Sequence, residues 1–382
     1  MKIGIDIRLI GKQRTGDEVV FFNITKKLAE IDSNNEYLLF TDIVDKDIIN
    51  QIKRDLEISE KNNFQIISIS TKNRFSWNFF ALAHYLRKNP VDIYLTQYIV
   101  PFFVPRKIKI ITIIHDISFN FFSKMIKFSD LFFLKILIPI SLFRTDKILG
   151  VSKFTRDEII KFYKINPDKV DFFHNAVSEN FKNKYSKEEL ERIRNKYSLP
   201  KKFILYLGTL QPRKNLPFLI KSYAKIRNDL AGTKLVLAGN KNAHNTDKNI
   251  DIEVEMNNLQ QDVIFPGYID EGDKPVIYAL AHIFVFPSLY EGFGIPILEA
   301  FCSQTPVLAS DIPSLREVGG DAAFFANPSS LDEFSKALYD ISINNDLRNR
   351  LISSGNKRAE LFSWEKTAKK LIDIFNCIKS NN

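Results

Sequence analysis

The sequence predicts an α/β protein with two doubly wound parallel-sheet domains facing a central cleft. Three observations carry this. Strand-like and helix-like segments alternate along the whole chain. The strand-like runs are continuously apolar, as strands covered on both faces require. The length of 382 residues, 45% of them hydrophobic, suits two domains that each bury a core.

The first series of strands is expected at 2–7, 36–40, 64–70, 91–95, 108–114 and 146–150, all short runs rich in Ile, Val and Phe. Amphipathic stretches such as Val20–Ile31 and Trp77–Lys88 separate them. A second series runs through Phe203–Leu207, Lys234–Ala238, Val263–Phe265, Ile283–Phe286 and Pro306–Ala309. The charged stretch Asn180–Lys202 between the two series reads as the linker. The domains are therefore placed at 1–180 and 181–362. The amphipathic helix that starts at Ser363 carries Trp364, Ala368, Leu371 and Phe375 on one face.

Composition narrows the function. Cys302 and Cys377 are the two cysteines, which excludes a disulfide framework or a multi-cysteine metal site and suits a reducing, cytoplasmic setting. The N-terminus lacks the apolar core of a secretory signal. The longest apolar run, Phe132–Phe143, is broken by Lys135 and Pro139 and falls short of the about 20 residues a bilayer span needs. Charge is uneven: residues 51–150 hold 15 Lys and Arg against 7 Asp and Glu. An anionic membrane surface or a phosphorylated lipid fits that imbalance, as does a plain lysine-rich surface. No nucleic-acid-binding motif is visible.

In such sheets ligands bind beyond the carboxyl ends of strands, so the loops there carry the chemistry. After Phe203–Leu207 comes GTLQPRKN, in which Arg213 and Lys214 stand just before a helix that Asn215 could cap. Two cations at a helix start suit an anion. After Ile283–Phe286 comes PSLYEGFGIPILEA, with Glu291 in the loop and Glu299 eight residues on, about two turns into a helix starting near Gly294 or Ile295. Two carboxylates so placed could accept from sugar or ribose hydroxyls, or act as an acid/base pair. His115 is followed by Asp116, which could orient its imidazole. His84, His174, His244 and His282 show no ligand spacing and are left as structural. Asp45-Lys46-Asp47 spells a DxD but opens a helix-like surface segment, so no metal site is expected there.

The blocks YLGTLQPRKNLPFLIKSYAKI, VIFPGYI and VFPSLYEGFGIPILEAFCSQTPVLASDIPSLREVGG, with GIDIRL, IIHDISF, VSKFTRDEI, HNAV and FSWEKTA, resemble the family 4 retaining glycosyltransferases, nearest their mannosyltransferase-like branch. The resemblance implies a GT-B fold, with acceptor site mainly in the first domain, nucleotide-sugar site mainly in the second, and residues 363–382 crossing back onto the first. It implies that Arg213 and Lys214 grip the donor diphosphate, Glu299 binds ribose and Glu291 faces the donor sugar. Phe293, Gly294 and Ile295 would contact sugar and phosphate through their backbone, and Gly16, Gly208, Thr209 and Gly267 would line the donor site. His115 would stand near the transferred sugar. No metal and no cofactor is implied; the substrates would be a nucleotide sugar and a glycan or lipid-linked glycan acceptor.

Three departures from that pattern stand out. Asp17-Glu18 occupy the place of a second glycine, where they could favour the helix start, crowd the acceptor entrance or contact an amine or hydroxyl. Ser303-Gln304 replaces a Cys-Gly pair, and Thr209 stands where some relatives carry arginine. The expected activity is transfer of a hexose, mannose from GDP-mannose first, to a growing surface glycan at the inner face of a membrane. A UDP-sugar donor and a silent nucleotide-binding scaffold are the alternatives.

Overall fold

The computed structural model describes residues 1–12, 16–71, 73–123, 128–243 and 245–380. The chain divides into two compact units: Met1–Asn120, Phe128–Asn175 and Ser363–Asn382 form the first, Phe121–Lys127 and Ala176–Phe362 the second.

The first unit holds a seven-stranded sheet: β1 Lys2–Asp6, β2 Glu36–Thr41, β3 Phe64–Ser68, β4 Ile93–Gln97, β5 Lys109–Ile114, β6 Lys147–Gly150 and β7 Val170–Phe172. Its order is β3-β2-β1-β4-β5-β6-β7, and every pairing is parallel. Ile3, Ile5, Leu39, Leu95, Ile111 and Ile113 are fully buried, as strands covered on both faces must be. The helix Trp364–Ser380 belongs to this unit; Thr367 Oγ1 donates to His174 O at 2.6 Å and Lys370 pairs with Asp171 at 2.9 Å.

The second unit holds six parallel strands: β8 Phe203–Leu207, β9 Lys234–Ala238, β10 Val263–Ile264, β11 Ile283–Phe286, β12 Val307–Ser310 and β13 Phe324–Ala326, in the order β10-β9-β8-β11-β12-β13. In each sheet the strand order reverses beside the first strand of the series, and a crevice at such a reversal is where ligands settle.

Three expectations need correction. β7 and β13 were not anticipated; each has three residues and lies at a sheet edge. The segment expected as a plain linker contains the helix Lys187–Lys196, whose first turn is capped by Ser186 accepting from Glu189 N at 3.2 Å. The amphipathic stretch Trp77–Lys88 begins as a π-helical turn over Trp77–Ala81 and becomes α-helical from Leu82.

Candidate functional site

In the second unit, β8 delivers the chain to a loop that ends in the single 3-10 turn Pro212–Lys214. Asn215 then takes a left-handed φ of 61° before the helix Leu216–Ile226. Its side chain does not cap that helix, as the sequence suggested. It donates to Pro328 O at 3.0 Å and so ties the loop to a neighbouring segment. The turn sends Lys214 inward, where it is buried at 8% exposure beneath the loop that follows β11.

That second loop supplies the counterion. Lys214 Nζ donates to Glu291 Oε1 at 2.5 Å, and Arg213 Nη1 donates to Glu291 Oε2 at 3.1 Å and to Tyr290 O at 3.0 Å. Burial alone would raise the pKa of Glu291, but the charges of Lys214 and Arg213 prevail and hold it down at about 2. Phe286 lies under Lys214 with its ring centroid 5.2 Å from Nζ. Two cations thus converge on one buried carboxylate.

Past Glu291 the chain turns at Gly294, whose φ of 110° and whose packing, 2.7 Å from a Leu315 methyl to a notional Cβ, both call for glycine. The helix Ile295–Cys302 begins there, with Phe293 buried against Phe362. Glu299 therefore sits just past the first turn, shallower than its spacing from Glu291 suggested. It does not join the Arg213–Lys214 cluster. Its Oε2 accepts from Tyr278 Oη at 2.8 Å, and Lys274, one turn before Tyr278 on the helix Lys274–Leu280, contributes an attractive charge. Burial outweighs both and pushes the Glu299 carboxyl above its usual range.

The strand ends around this cradle are packed tightly. Gly208 N donates to Ala238 O at 3.0 Å, and Gly239 N donates to Gly267 O at 2.9 Å. A Cβ on Gly239 would stand 2.2 Å from Gly208 O, so only glycine fits there. The carbonyl of exposed Thr209 accepts from buried Tyr206 Oη at 2.6 Å. Lys274, Tyr278, Tyr206 and Gly239 were missed from sequence; of these, Gly239 alone had a signal, a glycine directly after a strand.

In the first unit, His115 follows β5 and is buried at 8% exposure. Its Nε2 bonds Gln97 Oε1 at 2.8 Å, and its Nδ1 stands 3.7 Å from Asp17 Oδ1. Asp116 does not orient the ring, contrary to the sequence expectation; its Oδ1 accepts from Ser118 N at 2.9 Å and Ser118 Oγ at 2.7 Å. Gly16 opens the helix Gly16–Ile31, and a Cβ there would meet nothing within 4 Å. Asp17 and Glu18 lie in its first turn, Glu18 buried and Asp17 toward His115.

The remaining candidates fall elsewhere. Asp45 caps the helix Lys46–Asp55, accepting from Asp47 N at 2.8 Å and Ile48 N at 3.2 Å. His282 Nε2 bonds Ser342 O at 2.9 Å, His84 is exposed, and His244 lies outside the described residues. Gln304 adopts a left-handed φ of 58°, the conformation a glycine would favour at that position. Among the described residues no group of three or more His, Cys, Asp or Glu could hold a metal ion.

Two family models match the chain in succession: Glycosyltransferase Family 4 over residues 16–181 and Glycosyl transferases group 1 over residues 187–358. An O-antigen chain mannosyltransferase B of Escherichia coli is 33% identical over 177 residues, 46% of this chain and 46% of its own. A serotype-specific mannosyltransferase of the same organism is 35% identical over 209 residues, 53% of this chain and 25% of its own. The matched region thus spans half or less of these relatives. Among solved structures, a sucrose-phosphate synthase of Thermosynechococcus elongatus superposes with a TM-score of 0.78 at 19% identity, covering all of both chains. With both halves matched by successive family models and two parallel-sheet Rossmann-like units in place, the chain belongs to the family 4 glycosyltransferases of the GT-B fold.

Proposed function

We propose that the protein is a retaining, metal-independent glycosyltransferase that moves a hexose from a nucleotide diphosphate sugar to a hydroxyl of a growing, lipid-linked surface glycan. Mannose from GDP-mannose is the first choice of donor, supported by the names of the Escherichia coli relatives. The reaction would run in the cytoplasm, with the protein peripheral on the inner face of the membrane.

The observation that carries this reading is the convergence of Arg213 and Lys214 on one buried carboxylate at the carboxyl ends of β8 and β11. When the anomeric C–O bond breaks, the nucleoside diphosphate leaves with its charge increased and the sugar carbon becomes cationic. Arg213 and Lys214 would stabilise that developing negative charge, each worth about 2.7–4 kcal/mol of barrier by analogy with oxyanion donors. The acceptor hydroxyl adds to the carbon on the face the phosphate leaves, and its proton passes to a leaving phosphate oxygen. No covalent enzyme nucleophile is required. Glu299 would accept from the ribose hydroxyls, Glu291 would face the sugar, and His115 would stand beside it.

The test is a thermal-shift panel of GDP, UDP, ADP and their common sugars. A ligand at about 100 times its Kd stabilises the fold by about 2.7 kcal/mol. A selective GDP response supports the assignment, and a selective UDP response replaces the donor. A nucleotide response without transfer favours the silent nucleotide-binding scaffold, and no response to any nucleotide overturns the nucleotide-sugar reading. Transfer should also survive EDTA; loss restored by Mn2+ would overturn the metal-independent chemistry.

A further inference from the structure

The helix Phe128–Arg144 is apolar on almost every side, a composition that normally means burial all round. One side is indeed packed: Ile138 and Leu142 are buried, and Ser141 Oγ accepts from Val100 N at 3.0 Å. The opposite side is open. Phe132, Ile136, Ile140 and Phe143 recur at spacings of four, four and three, and all face solvent, Phe143 at 89% exposure. Single exposed apolar residues need no explanation, whereas a continuous stripe marks a surface that something covers.

The stripe continues onto neighbouring elements. Phe133 touches Phe75 at 5.4 Å between ring centroids, Phe75 touches Phe79 at 6.3 Å, and Phe79 stacks on Phe102 at 4.4 Å. Beside these rings Phe80 and Phe103 stand 69% and 62% exposed and line an apolar groove of about 790 Å³. Cations edge the same surface. Lys135 is exposed on the flank of the stripe and Arg87 lines the groove. Arg144 Nη2 donates to Pro105 O at 3.3 Å, which brings the helix end to exposed Arg106 and Lys107.

We propose that this face docks on an anionic lipid bilayer, the Phe132–Phe143 stripe with Phe80 and Phe103 entering the acyl boundary while Lys135, Arg87, Arg106 and Lys107 meet lipid phosphates. Charge decides the occupant. The region that carries the stripe has 15 basic against 7 acidic residues, and a second copy of the chain would bring two such basic rims together. A bilayer with anionic headgroups supplies the opposite charge around an apolar interior, the match for a helix lying in the interface. The helix does not cross the membrane, since Ile138 and Leu142 face the protein core and no described helix is long and apolar enough to span. The inference deepens the membrane-side reading above and is independent of which sugar is moved.

The experiment is flotation of the full chain with vesicles of phosphatidylcholine alone and of phosphatidylcholine with phosphatidylglycerol. The wild type should float with the anionic vesicles, weakly with neutral ones, and less as salt rises. Phe132→Ser combined with Phe143→Ser should lower binding by about tenfold or more, leaving the melting point and the nucleotide-induced shift unchanged. Lys135→Glu with Arg106→Glu, both at the surface, should remove the salt-sensitive part. Failure of the wild type to float, or a serine variant that binds as the wild type does, overturns the proposal. So does a dimer in light scattering that the serine substitutions abolish, which would assign the face to a second copy. Intact flotation without any nucleotide response would overturn the enzymatic reading and leave this one standing.

Discussion

Replacing Glu291 with glutamine keeps the shape of the side chain and removes the one negative charge that Lys214 and Arg213 share. Glu291 is pulled from the ordinary 4.5 to about 2, and each tenfold change in acidity is worth about 1.36 kcal/mol, so its ionisation contributes about 3 kcal/mol to the folded state. Breaking a buried ion pair from one side costs about 3–5 kcal/mol, the same range. For a domain of this size about 1 kcal/mol moves the melting point by about 2–4 °C, so Glu291→Gln should melt about 6–12 °C lower at pH 7. The sign with pH follows from the depressed value. The contribution is complete above about pH 4.5 and disappears as pH falls toward about 2, so the two melting curves should converge across that window. A saturating nucleoside diphosphate should then raise the variant more than the wild type, because it meets two cations that have lost their internal anion. Equal melting points at neutral pH, or a gap that persists undiminished to pH 2.5, would refute the reasoning.

Glu299→Gln should act in the opposite direction. Burial raises the Glu299 carboxyl, so its charge destabilises the unliganded fold at neutral pH; the amide should raise the melting point while weakening nucleotide-sugar binding, and unchanged affinity would remove its ribose role. Lys214→Ala should lower turnover by about 10²–10³ with the second unit still folded, and near wild-type rates would remove charge stabilisation from the mechanism. Gly239→Ala should cost about 1–3 kcal/mol or more in denaturant titration, because its Cβ would stand 2.2 Å from Gly208 O; a neutral effect would show that the strand ends separate freely.

Most of both sheets was legible because parallel strands announce themselves as short apolar runs, and eleven such runs were visible. β7 and β13 escaped for a physical reason. Val170–Phe172 carries Asp171, which faces outward to Lys370, and Phe324–Ala326 is three residues long. The first lacks the continuous apolar character of a strand flanked on both sides, and the second, although apolar throughout, is too short to stand out as a run. The helix Lys187–Lys196 was hidden by its charge, although Ser186 and Glu189 spell the capping signature that starts it. The lesson there is that a polar, charged stretch with a cap is a solvated helix before it is a linker.

The site was legible as residue types but not as partnerships. Sequence adjacency pointed to Asp116 as the residue that orients His115, yet neighbours at a strand end project to opposite sides. Gln97 pairs in register with Ile113 on the adjacent strand, and His115, two residues beyond Ile113, projects to the same side. The partner thus comes from across the sheet, and a second one, Asp17, from the helix after β1. The same logic governs the cations. Arg213 and Lys214 meet Glu291 because β8 and β11 are neighbours, although 77 residues separate Lys214 from its carboxylate. That pairing also explains how a lysine can be buried beneath this loop, because a buried carboxylate lies against it. Glu291 supplies a counter-charge that holds it in place, while Arg213 reaches the second oxygen of the same carboxylate. On the proposed function, an incoming diphosphate would meet an oriented pair of cations whose desolvation is already compensated.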